Sequence, residues 1–130
     1  MPFTDETTIR THTGWNNTDL VTVELIELRL ADAHATLLEC LDPEFQDSTN
    51  PLLKLAETEL TIAYLLRSMA ADSGFNDRDL RTARLTLRAG GRAHTLQELA
   101  EDCEQRAWGY ARPFLRISSR RIPLTLVSSE

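Results

Sequence analysis

The chain has 130 residues, 42% of them hydrophobic and 26% charged, which suits one folded domain with a single core. No run approaches the roughly 20 apolar residues a membrane-spanning helix needs, and two lone cysteines, Cys40 and Cys103, make no disulfide framework. The net charge of −6 is uneven: residues 1–70 hold four basic and twelve acidic side chains, residues 71–130 ten basic and eight acidic. The first part should repel nucleic acid, and the second should seek an acidic surface or phosphates.

Four helices are expected. The first covers about residues 5–13, with Thr4 as N-cap, acids in the first turn and Gly14 as the stop. The second is capped by Thr22 and runs to about Leu41. Ile26, Leu30, Ala33, Leu37 and Leu41 recur at spacings of four, three, four and four, one apolar stripe on a 3.6-residue period. Asp42-Pro43 ends it, and a polar loop from Glu44 to Asn50 follows. Asn50-Pro51 opens the third helix, Asn as cap and Pro at the first helical position. Apolar residues nearly encircle residues 52–71, leaving a narrow polar strip of Lys54, Glu57, Thr61 and Ser68. Such a helix is covered on most sides, by its own domain or by a neighbouring subunit. Gly74 is the expected stop.

Residues 75–94 read as a short two-stranded hairpin or a projecting loop. Arg84 to Arg88 alternates in strand fashion, and Gly90-Gly91 offers a tight turn. The segment carries Arg78, Arg81, Arg84, Arg88 and Arg92. Thr95-Leu96-Gln97-Glu98 is a capping box that starts the fourth helix at residue 96. Leu96, Leu99, Ala100, Cys103, Ala107 and Ala111 share its inner face, and Pro113 ends it. The expected fold is mainly α: a small bundle of about four helices over residues 1–113, with a short hairpin or loop, and an extended C-terminal arm over residues 114–130.

No catalytic or metal-binding constellation is legible, so no enzyme and no cofactor are expected. His12, His34 and His94 lack the spacing of a metal pair, and both cysteines fall on helix faces that should be buried. Glu57 with Glu59, and Glu98 with Glu101 and Asp102, read as solvated helix surface. The arginines from Arg78 to Arg92 suit a solvated hairpin, an acidic protein surface or nucleic acid. Asp77 and Asp79 partly neutralise them, and no aromatic residue stands among them to stack on bases. In the arm, Phe114, Leu115, Ile117, Ile122, Leu124, Leu126 and Val127 alternate loosely with Arg and Ser, a pattern suited to strand addition onto a partner.

Several stretches carry a resemblance in the order of their elements. Ile9-Arg10-Thr11-His12-Thr13-Gly14 precedes Thr18-Asp19-Leu20; Leu28-Arg29-Leu30-Ala31-Asp32-Ala33 leads to Leu37-Leu38; Pro51-Leu52-Leu53-Lys54-Leu55-Ala56 opens the third helix; Leu85 to Gly91 precedes the last. In these helices and spacings, over most of residues 5–112, the chain resembles the head–tail connector (adaptor) family of long-tailed viruses. The resemblance implies a virion neck protein assembled in the host cytoplasm, with no membrane partner. It implies a homo-oligomeric ring, commonly of twelve subunits, below the portal protein. Double-stranded DNA would pass through the ring without specific binding, and the lower face would meet the next tail component. Portal contact would then fall to Arg112, Phe114, Leu115, Arg116, Ile117, Arg120, Arg121, Ile122, Leu124 and Leu126, and subunit packing to Leu52, Leu55, Leu60 and Tyr64 of the third helix. The alternative is a small helical DNA-binding regulator using Arg78–Arg92.

Overall fold

The computed structural model of the chain describes residues 2–72, 75–87 and 95–116. Five helices account for most of them: α1 (Glu6–Thr13), α2 (Val23–Cys40), α3 (Pro51–Ala71), α4 (Asp77–Leu87) and α5 (Leu96–Ala111). Single 3-10 turns at Pro43–Phe45 and Arg112–Phe114 complete the order, and no strand occurs among the described residues. The long α3 is the axis. It packs most extensively on α5, then on α2 and α1, while α4 lies against α5.

Local chemistry sets the helix ends. The cap of α1 is Asp5, not Thr4: the Asp5 carboxylate accepts the Thr8 backbone N–H at 2.8 Å, and that bond holds its carboxyl below the ordinary range. Thr4 is drawn inward instead, where its hydroxyl lies 2.7 Å from that of Thr58. Gly14 closes α1 with φ 76°, a left-handed C-cap at which a β-carbon would be strained. Arg10 then ties down the following connection. Its guanidinium donates to the carbonyls of Trp15 and Val21 at 2.8 and 2.7 Å and pairs with Glu6 at 2.6 Å. Thr22, Asn50 and Thr95 cap α2, α3 and α5, each accepting a backbone N–H from the first turn.

The core is continuous along α3. At one end Ile9, Trp15, Val21, Ile26 and Leu30 meet Leu65, Leu66, Met69, Leu99 and Cys103. At the waist Ala33, Leu60 and Ala107 allow α2, α3 and α5 to approach closely. At the other end Leu37, Leu41 and Leu53 meet Ala111, Phe114 and Leu115. The α2 stripe of Ile26, Leu30, Ala33, Leu37 and Leu41 is buried throughout, as is the inner face of α5 from Leu96 to Ala111.

The expected hairpin is corrected over the residues described. Residues 77–87 are helical because Asn76 and Asp79 cap one another: Asp79 N–H donates to Asn76 Oδ1 at 2.9 Å, and Asn76 N–H reaches Asp79 Oδ2 at 3.4 Å. Leu80 and Ala83, one turn apart, then pack into the core. That burial outweighs the short alternation that begins at Arg84. Gly74, the Gly90-Gly91 turn, Arg88, Arg92 and His94 lie outside the described residues.

Candidate functional site

Two glutamates on α3 overturn the reading of solvated surface. Glu57 is 0% exposed and Glu59 4%. Of the polar strip expected on α3, Glu57 and Thr61 are buried, Ser68 is half-buried and Lys54 is exposed. Glu57 Oε1 accepts the backbone N–H groups of Phe3 at 2.6 Å and Thr4 at 3.0 Å. His34 Nδ1 of α2 lies 2.6 Å from Oε2, and the Phe3 ring stands edge-on to the same imidazole. Glu59 is held by Arg106 Nε of α5 at 3.2 Å and lies 3.4 Å from His12 Nε2 of α1. Thus each carboxylate fastens a different element to the axis. Glu98 and Glu101 are exposed, as read from the sequence.

These buried groups fasten separate segments to α3. Burial, and after it the charge of Glu59, pushes the Cys103 thiol up to about 12, so its thiolate is scarce at neutral pH. In the native protein a thiol-alkylating reagent should therefore modify half-buried Cys40 first and leave Cys103 untouched until the chain is unfolded. Peptide mass mapping checks this. Among the described residues no cluster of three His, Cys, Asp or Glu side chains is placed to hold a metal ion. A cleft of about 280 Å³ opens between the Gly14–Val21 connection and α4. Its lining is mainly apolar, with Trp15, Leu20, Met69, Phe75 and Ala83.

The surfaces carry more information. Residues 114–116 are joined to the body. Phe114 and Leu115 are buried, Leu115 completely, and Phe45 stands edge-on to Phe114. Leu41 and Leu115 form an isolated antiparallel bridge. Asp42 N–H donates to the Phe114 carbonyl and Arg116 N–H to the Cys40 carbonyl, both at 2.9 Å, and Arg116 Nε reaches the Leu41 carbonyl at 3.0 Å. The body therefore extends through Arg116, three residues beyond the boundary read from the sequence. Of the residues expected to touch a portal, Phe114 and Leu115 are interior side chains, while Arg112 and Arg116 are exposed. Ile117, Arg120, Arg121, Ile122, Leu124 and Leu126 lie outside the described residues.

The apolar girth of α3 is covered by its own chain. Leu60 is 1% exposed between Ala33 and Ala107. Tyr64 is half-buried and donates its hydroxyl to Thr36 at 3.3 Å; burial pushes its phenol pKa up. Leu55 is half-buried, and Leu52 alone of the four proposed interface residues stays open, at 39%. The open helix faces are elsewhere. On α2, Leu28, Ala31 and Ala35 form an exposed strip flanked by Glu24, Glu27 and Glu39, and Leu28 is 54% exposed. On α4, Arg78 and Arg81 are exposed, and Arg84 is half-buried.

Compared with family models, curated proteins and solved structures, the chain matches none.

Proposed function

We propose that the chain is a structural virion protein: a head–tail connector subunit that forms a ring between portal and tail around the DNA channel. The observation that carries this reading is the fastening of Phe114–Arg116 to the end of α2. It pins the last described residues to one fixed point on the helical body. The sequence beyond that point is apolar and basic, with Ile117, Ile122, Leu124 and Leu126 beside Arg120 and Arg121, and it suits capture by a partner's exposed sheet edge. An acidic body suits a conduit, because DNA must slide past it without adhering. Support from α3 is withdrawn, since that helix spends its apolar surface inside its own bundle.

Deleting residues 117–130 tests the reading. The shortened chain keeps every buried residue described above, so it is expected to fold, and it should no longer bind purified portal rings. Undiminished binding would remove the assignment of the arm.

A further inference from the structure

The two open faces are complementary in charge and in spacing. Glu24 and Glu27 project from the first half of α2 and take part in no ion pair within the described chain. Arg78 and Arg81 on α4 are likewise exposed and unpaired. Both pairs are three residues apart, so each presents two like charges on one helix face roughly 5–6 Å from one another. Of the neighbouring charges of the opposite sign, exposed Asp77 stands beside Arg78 and one turn before Arg81, and the others are engaged. Asp79 is occupied in the cap with Asn76, and Arg29 is paired with Asp32 at 3.2 Å. Beside the acids stands Leu28, and the aliphatic stem of an arginine covers such a side chain while its head reaches a carboxylate.

We propose that α4 of one copy docks on the first half of α2 of the next, Arg78 and Arg81 meeting Glu24 and Glu27 over Leu28. This rests on the ring reading above and assigns its subunit contact to these two helices in place of α3. The faces belong to different elements, α2 against α3 and α4 against α5. Joined one way round, a pair of copies still offers one free α2 face and one free α4 face; that arrangement is heterologous, and it propagates until a ring closes.

Charge reversal tests it. One variant carries Arg78→Glu with Arg81→Glu, the other Glu24→Lys with Glu27→Lys; all four positions are exposed, and circular dichroism and melting report whether each variant is folded. An alanine pair at 78 and 81 serves if a reversed pair is not. Assembly is followed by sedimentation and native mass measurement at low salt, alone and with purified portal rings. Each reversed variant by itself should self-associate at least about tenfold more weakly than the native chain, since like charges then face each other. An equimolar mixture of the two should assemble again, as alternating copies. A variant that assembles like the native chain, or a mixture that stays dissociated, overturns the proposed contact and leaves the ring reading standing. A native chain that stays monomeric even on portal rings overturns both. Salt-sensitive binding to a DNA duplex that disappears with Arg78→Glu and Arg81→Glu assigns these arginines to nucleic acid and also overturns the contact.

Discussion

Replacing Glu57 with alanine is expected to cost about 3–5 kcal/mol, from several hydrogen-bonding groups left without their partner at about 1–3 kcal/mol each. Domains of this kind hold only about 5–15 kcal/mol in total. The loss is large because three groups are orphaned together: the backbone N–H groups of Phe3 and Thr4 and the ring nitrogen of His34. Thr4 is buried with the carboxylate, while Phe3 and His34 are half-buried. Glu57→Gln keeps an acceptor for the two N–H groups and offers its amide to His34, so it should cost nearer 1 kcal/mol. Urea unfolding followed by circular dichroism separates the two substitutions. An alanine variant within about 1 kcal/mol of the native chain would mean that the buried network contributes little net stability.

Ending the chain at Pro113 should do comparable damage, whereas ending it at Arg116 should leave a cooperative helical unfolding transition. The difference is three residues. Leu115 fills the base of the core against Leu41 and Leu53, with Phe114 beside it. Truncating a buried Leu or Phe costs about 2–5 kcal/mol. Removal of both also frees the Asp42 N–H and the Cys40 carbonyl that they and Arg116 satisfy. A lowering of the melting temperature by about 4 °C for each kcal/mol lost is the expected scale. Equal melting of the two truncated chains would show that the segment is peripheral to the fold.

Much of the fold is legible in the sequence because periodicity and capping agree. The α2 stripe, the Asn50-Pro51 start of α3 and the Thr95 capping box each combine an apolar period with a local hydrogen bond. Reading fails where a long-range contact decides. Thr4 looks like a cap until Thr58, fifty-four residues away, takes its hydroxyl. The segment after Asp77 alternates near its end like a strand, yet its helix rests on the reciprocal Asn76–Asp79 cap and on burial of Leu80 and Ala83. Glu57 and Glu59 could have been suspected. Acids set in a helix with almost no polar face have nowhere to go but inward, and they then need partners. Those partners, Phe3, His34, His12 and Arg106, come from four separate segments, so no spacing in the sequence reveals them. For the candidate surfaces, charge was legible but orientation was not. The Glu24–Glu27 and Arg78–Arg81 pairs become matching faces only once both stretches are helices with their other sides occupied.

The attachment at Leu115 also decides how the molecule bears a pull. Tension applied beyond Arg116 does not reach the last turn of α5 directly. It is met first by the two short backbone bonds between Cys40–Asp42 and Phe114–Arg116, and by the leucine wedged beneath them. The load therefore crosses into α2 and the foot of α3, so that a brief β-pairing yields before any helix is unwound from its end.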